Sequence, residues 1–425
     1  MLFVVVVLFV VFNGAVEGTK AIPADSFANS IGVNTHWSYP GVYINRYNDL
    51  KAKLAEAGIR YVRDHTNPAS YARANDLYES LGIKTITISG RYKSGSGPHS
   101  LDPTQIQEEL NQMRYLGLQT VDSIEGPNEY DLEHDPRDPN WVETLQNYTR
   151  VLYQTAKADE KLRNIPITAP SLTSLHAFET VGNLDAYIDY VNMHPYFGVT
   201  WPNFPGWGVN GTYSLDWFLD YLRPRQSPSG KPIQFTETGY HDFIPHNGVT
   251  EEADGKYMAR SFMEFFRRGV YRIYKYELVN QNITGQEGNF GFLRADLSEK
   301  PSFRAVKNLI GILADKGPQF QTNSLDYTLT GTTNDTRQIL FQKRNGDFYL
   351  VVWLEVESFN ITTKVDLYPP PQPLLLTLQD SNKISTATLF AFNNTSDVDK
   401  TNLPINNNQI HFNATDKINI IQLSV

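Results

Sequence analysis

The chain has 425 residues and a formal charge of −9, from 37 Lys+Arg against 46 Asp+Glu. Without a basic stripe, that acidity disfavours a nucleic-acid partner, while a hydrophobic fraction of 40% is enough for a large packed core. The absence of cysteine excludes disulfides, thiolate metal sites and cysteine nucleophiles together.

The first feature in chain order is the apolar run Leu2 to Phe12, followed by the small residues Asn13 to Gly18. The run is short for a membrane span and suits a signal-peptide core, so residues 1–18 read as a leader. No later segment approaches the length of a spanning helix, so no membrane is expected for the mature chain. Sequons stand at Asn147, Asn210, Asn282, Asn334, Asn360, Asn393, Asn394 and Asn413. Leader and sequons together imply a secreted glycoprotein.

Between residues 30 and 315, short apolar runs alternate with stretches of helical period. The candidate strands are 30–36, 60–64, 84–90, 121–129, 166–171, 190–196, 233–240 and 272–278. Between them the spacing predicts helices over 43–57, 69–81, 104–116, 141–158 and 250–268, with a last one over 302–315. This alternation implies an α/β fold, a (β/α)8 TIM barrel over residues 22–316. A doubly wound sheet is the alternative, but no phosphate-binding glycine fingerprint follows the first strand.

Near Gly317-Pro318 the helical period gives way to period two. Residues 338–344 and 347–353 flank Asn345-Gly346, a hairpin signal. Further strand-like runs cover 362–367, 374–378, 386–392 and 418–423, with Pro369-Pro370-Pro371 as a loop. Residues 318–425 therefore read as a C-terminal antiparallel β-sandwich.

Barrel chemistry sits at the C-terminal ends of the strands. The fourth strand ends in Glu125-Gly-Pro-Asn128-Glu129 and the seventh in Thr236-Glu237-Thr-Gly-Tyr240. Two carboxyls facing across the mouth are what glycoside hydrolysis needs, one to give a proton and one to attack or to activate water. The order Asn128-Glu129 on strand four with Glu237 on strand seven resembles clan A of the retaining glycoside hydrolases. The spacing Glu125-x-x-Asn128-Glu129 is similar to the branch with β-xylosidases, arabinofuranosidases and heparanase-like β-glucuronidases, which also carry a β-sandwich. Tyr130 and Pro127 depart from that branch, which often has Pro and Trp or Gly there.

The resemblance implies Glu129 as acid/base, Glu237 as nucleophile and Asn128 as a partner of the sugar 2-hydroxyl. It also implies that Tyr196 donates to Glu237, that His194 lines the site, and that Arg63 holds Glu237 ionised. Glu129 would be kept protonated by the nearby charge of Glu237. Glu125, one layer deeper by strand alternation, reads as a buried partner of Arg63. Trp37 and His36 either contact sugar or pack at the rim. Tyr276 is the candidate aromatic floor, with Glu277 pointing away unless a bulge intervenes. Trp201 and Trp207 are platforms for further sugar units or members of a small loop cluster.

No His-Glu-x-x-His, Gly-x-Ser-x-Gly or P-loop motif occurs, and the acidic loop 131–138 lacks the glycine turn of a calcium site. No metal or cofactor is expected. The expected partner is a carbohydrate, a neutral β-glucan, xylan or mannan, since Arg63, Arg91 and Lys93 are the few cations near the mouth. A binding-only, lectin-like barrel and a transglycosylase are the alternatives. Oligomeric state, exo or endo cleavage and the exact sugar stay open.

Overall fold

The computed structural model describes residues 18–65, 67–93, 100–115, 118–134, 139–379 and 384–425. Residues 1–17 of the leader, and Asp135 to Asp138 of the acidic loop, lie outside the described residues. No described helix is long and apolar enough to cross a membrane.

The barrel strands are β1 (Ile31–Asn34), β2 (Tyr61–His65), β3 (Lys84–Ile88), β4 (Val121–Glu125), β5 (Ile167–Thr168), β6 (Val191–Met193), β7 (Ile233–Thr238) and β8 (Arg272–Lys275). They form one parallel sheet in the order β5-β4-β3-β2-β1-β8-β7-β6. A parallel bridge between Thr168 and Tyr190 joins its two ends and closes the ring. The expected strands are each present; β2 keeps five residues shifted by one, and the others are shorter, since the chain leaves the ladder where the mouth begins.

The main helices are α1 (Tyr47–Ala57), α2 (Pro68–Leu81), α3 (Ile106–Tyr115), α4 (Trp141–Ala158), α5 (Leu175–Val181), α6 (Glu251–Arg267) and α7 (Pro301–Leu313). Local chemistry fixes their ends. Asn67 caps α2 by accepting from the Ser70 amide at 3.0 Å, Pro68 opens the helix, and Gly82 closes it at φ 69°. Thr250 caps α6 by accepting from the Ala253 amide. The connection after β6 carries a π-helical turn, Trp217–Leu222, which no regular periodicity announces.

The sandwich strands are β9 (Tyr327–Thr330), β10 (Thr336–Gln342), β11 (Phe348–Leu354), β12 (Gln372–Leu378), β13 (Thr386–Phe392), β14 (Val398–Leu403), β15 (Gln409–Ala414) and β16 (Asn419–Ser424). One sheet orders β14-β13-β16-β11-β10, and the other β9-β12-β15. The expected strand 362–367 is instead a small hairpin, pairing Phe359 with Asp366 and Asn360 with Val365. Ile22 and Pro23, counted with the barrel from the sequence, pair in parallel with Phe341 and Gln342 of the sandwich.

β11 is buried along its whole length, which explains its unbroken apolar sequence. Leu350, Val352 and Leu354 face the second sandwich sheet, while Tyr349, Val351 and Trp353 join the barrel core. Phe27 and Phe266 of the barrel meet Phe341 at ring distances of 5.9 and 5.7 Å. Phe27 and Phe341 are fully buried and each contributes about 1.5–3 kcal/mol, and Phe266 packs on them half-buried.

Polar contacts lock the same interface. Arg260 on α6 is fully buried, and its Nη1 donates to the Leu354 and Val356 carbonyls, both at 2.8 Å. Lys256 Nζ lies 3.1 Å from Asp416 Oδ2. Arg260→Ala would strand those carbonyls and the buried Glu355 carboxyl, 3.9 Å from the guanidinium. The expected cost is about 3–5 kcal/mol, read as a lowered Tm. A loss below about 1 kcal/mol would show that the interface does not depend on this residue.

Candidate active site

The C-terminal ends of the strands open into a cleft of about 670 Å³. Glu125 closes β4, and the chain then turns sharply through Gly126, where a Cβ would stand 2.8 Å from the Pro170 nitrogen. This turn lifts Asn128 and Glu129 to the mouth. Glu129 itself sits at φ 41°, an unfavourable region for a residue with a side chain, and the Ser171 hydroxyl accepts its amide at 2.9 Å. Strain held in place at a cleft residue points to function.

Arg63, in the middle of β2 and 2% exposed, organises the floor. Its Nε and Nη2 donate to Glu125 at 2.6 and 2.7 Å, and Nη1 donates to Glu237 Oε1 at 2.6 Å. Nη1 also donates to Asn34 Oδ1 at 2.9 Å, and Nη2 to Asn128 Oδ1 at 2.7 Å. All five guanidinium donors are therefore engaged inside the protein. The expectation that Glu125 is a buried partner of Arg63 agrees with its bidentate contact and zero exposure.

Glu237, next to last in β7, accepts a second hydrogen bond from Tyr196 Oη at 2.7 Å. Burial alone would push its carboxyl up. The charges of His194 and Arg63 and the bonds from Tyr196 and Arg63 outweigh that and hold it well below the usual carboxylate range. It is thus ionised at any ordinary pH.

His194 does not line the cleft, contrary to expectation. It is 7% exposed and stands behind Glu129, with Nδ1 2.6 Å from Glu129 Oε1 and Nε2 2.9 Å from Thr236 Oγ1. Thr236 donates to Asn192 Oδ1 at 2.7 Å, so its oxygen accepts from His194 Nε2–H. Nδ1 and Glu129 Oε1 are then left sharing one proton. Burial would lower the imidazole, but the charge of Glu237 and the bond to Glu129 reverse this and raise it.

One oxygen each of Glu129 and Glu237 and a nitrogen of His194 lie within 4.8 Å of one another. Such a trio could ligate a cation, but the Arg63 guanidinium on Glu237 would repel one. The nearest oxygens of the two carboxyls are thus within 4.8 Å, close enough for the carboxyl spacing of about 5–5.5 Å found in retaining pairs.

Asn128 lines the cleft, and with Oδ1 held by Arg63 its amide nitrogen remains as a donor toward a ligand. Tyr276 lines the cleft as well. Trp37 does not contribute. It is 2% exposed and packs edge-on against Tyr43 and Tyr47 at 5.7 and 5.2 Å, inside the barrel wall. Trp201 is also set back from the cleft, packed edge-on to Phe204 at 5.3 Å. Trp207 is exposed and lines a neighbouring groove.

Two residues mattered more than their sequence signal suggested. His36 lines the cleft, stacked on Tyr39 at 4.3 Å, and neither ring nitrogen has a hydrogen-bond partner among the described residues. Burial drops its imidazole to about 3, so it is neutral. Glu277 is fully buried beneath it and accepts from Tyr43 at 2.7 Å and from Gln281 at 2.9 Å. It was expected to point away. A register shift between Ile273 and Lys275 supplies the irregularity that turns it back under the site.

Burial raises the Glu277 carboxyl to about 7, against the pull of Tyr43 and Gln281. Its 3.5 Å approach to His36 is therefore not an ion pair. The folded protein holds this proton more tightly than the unfolded chain. Stability from Glu277 is full below about pH 4.3 and is lost as pH rises through about 7. The loss is on the order of 3 kcal/mol. Glu277→Gln should flatten Tm between those pH values, and an unchanged slope would contradict the assignment.

No family model matches the chain, and no curated protein matches it. Among solved structures it is similar to a family 39 glycoside hydrolase from Bacteroides cellulosilyticus WH2, with TM-score 0.67, 16% identity, and 96% of this chain and 83% of that chain covered. A monomeric β-xylosidase from Caulobacter crescentus CB15 gives TM-score 0.61 and 14% identity over 96% of this chain and 98% of that one. A family 30 subfamily 8 xylanase from Clostridium acetobutylicum gives TM-score 0.56 and 14% identity over 97% and 98%. The chain thus has the fold of the family 39 and family 30 glycoside hydrolases, a TIM barrel that carries a β-sandwich.

Proposed function

We propose that the protein is a retaining β-glycosidase that cleaves neutral β-linked glycans by double displacement. The observation that carries this reading is the pairing of Glu129 and Glu237 oxygens within 4.8 Å across one cleft. Glu237 is kept ionised and attacks the anomeric carbon, while Glu129 protonates the departing oxygen. His194 holds Oε1 through the hydrogen bond between them, and Glu129 carries the proton it delivers on its other oxygen, facing the scissile bond. Water then attacks the glycosyl-enzyme with Glu129 as base. Asn128 donates to the sugar 2-hydroxyl, a contact that tightens in the transition state.

The lining favours a neutral sugar. Among the described residues no lysine lines the cleft, and Arg63 has every donor engaged. Burial leaves His36 and His241 neutral, at about 3 and about 4. Arg91 pairs with Glu109 at 3.2 Å, outside the cleft. Among the described residues, an acidic sugar would meet no lysine and no unengaged arginine in the cleft.

A panel of nitrophenyl β-glycosides and soluble β-glucan, xylan and mannan tests the reading, with NMR following the first anomer released. The β-anomer is expected. An inverted product, or no turnover of any member, contradicts it.

The leader and the sequons support secretion. Asn210, Asn282, Asn334 and Asn413 are exposed. N-terminal sequencing of exported protein should begin near residue 19, and an intact Met1 would contradict this.

A further inference from the structure

We propose that a second sugar-binding subsite lies beside the catalytic cleft, between the loop after β6 and the sandwich hairpin at residues 359–366. The preferred substrate is then an oligo- or polysaccharide whose chain runs from the barrel onto the sandwich. This rests on the glycosidase reading above and extends it from a reaction to a substrate class.

The groove measures about 460 Å³ and is continuous with the cleft, since Tyr196, Gly198 and Asn247 line both. Its barrel wall is aromatic. Trp207 is 54% exposed and Tyr213 42%. An exposed indole is commonly mobile, but this one is held by a closed hairpin. The Trp207 amide donates to the Thr212 carbonyl at 2.8 Å, and the Thr212 amide returns the bond at 3.0 Å. The hairpin is tight enough that a Cβ on Gly206, at φ 84°, would stand 2.1 Å from the Gly211 oxygen. Phe204 supports the indole from behind at 4.9 Å. A large rigid ring presented to solvent at low entropic cost is a platform for the C–H face of a sugar.

The facing wall comes from the sandwich, through Ile361 and Lys364. Asn360 Oδ1 fixes that turn by accepting from the Thr362 and Thr363 amides at 2.9 and 2.8 Å. The hairpin is anchored to α6 through Thr250 and Asp366, and through the Ser358 amide donating to Tyr257 at 2.9 Å. Lys364 adds an ammonium donor for hydroxyls, and Thr200 and Asn247 add polar edges. One apolar face with polar groups at its margin fits a pyranose better than an apolar peptide. It also gives the sandwich a part in substrate choice.

The test compares the full chain with Trp207→Ala and Lys364→Ala. The first measurement is the ratio of kcat/KM on a β-linked hexasaccharide to kcat/KM on the nitrophenyl glycoside of the same sugar. Loss of one stacked ring should lower that ratio about tenfold in Trp207→Ala, with a smaller fall in Lys364→Ala. An unchanged ratio overturns the proposal. The second measurement is calorimetric titration of Glu237→Gln, with and without Trp207→Ala, using cello-, laminari-, xylo- and mannohexaose. At least one sugar should bind, about tenfold more weakly without Trp207. Equal affinity, or no binding by either protein, overturns the subsite. If no glycoside is turned over, the catalytic reading fails and this titration still decides the subsite.

Discussion

Glu237→Gln is expected to lower turnover of every glycoside the protein cleaves by at least about 10⁴-fold, with the fold intact but a lower Tm, since the buried Arg63 loses one of its two carboxylate partners. The amide keeps the shape and can still take the hydrogen bond from Tyr196 Oη. It cannot attack the anomeric carbon, and without the covalent step the reaction has no route through double displacement. The matching change at Glu129 should behave differently. Glu129→Gln removes the proton donor, worth about 10²–10⁴-fold on a glycan with a poor leaving group. On a nitrophenyl glycoside, whose leaving group departs unaided, the first step should be far less affected. Equal loss on both substrate types would contradict the division of labour between the carboxyls.

Arg63→Met should be nearly as damaging, for two separable reasons. The guanidinium makes the closest charged contact to Glu237, at 2.6 Å, and is the bidentate partner of Glu125. Without it, burial pulls the Glu237 carboxyl up, so the nucleophile protonates at a higher pH. The acid limb of kcat/KM should therefore move to higher pH. In the wild type it should lie below the ordinary carboxylate range, since Glu237 is ionised there. Loss of the partner also leaves Glu125 as an unpaired buried carboxylate, at a cost of about 3–5 kcal/mol. Arg63→Met with Glu125→Gln should recover much of that stability and none of the activity. Recovery of both would mean that Arg63 acts only as scaffold.

The proposed catalytic pair was legible because it rests on local spacing. Glu237 lies at the end of β7, inside its last two residues, Glu129 and Tyr196 lie just past the ends of β4 and β6, and Arg63 lies in the middle of β2. Such positions are set by strand ends and survive errors of a few residues. Trp37 was not legible in this way. Whether a strand-end indole faces a sugar or the wall depends on the helix behind it, and here Tyr43 and Tyr47 close over the ring. The placement of Glu277 depends on a register shift in β8, which leaves no trace in the alternation of residues.

The sandwich shows the same division. The hairpin around Asn345-Gly346 was legible from its turn chemistry, with β10 and β11 paired residue for residue across it. β14 was missed because its residues are mostly exposed and polar, so it carries no apolar alternation. The short helix α5 and the π-helical turn at Trp217–Leu222 were missed for the corresponding reason, too few turns to establish a period.

The central claim is that Glu237 forms a covalent bond to the sugar. Incubation with 2-deoxy-2-fluoro-β-glycosyl fluorides of the neutral sugars, followed by peptide mass mapping, tests it most directly. The account predicts one fluoroglycosyl group per chain, on the peptide that contains Glu237, with loss of activity in step with labelling. Turnover of the parent glycosides with no label at any sugar, or a label on another residue, would contradict it.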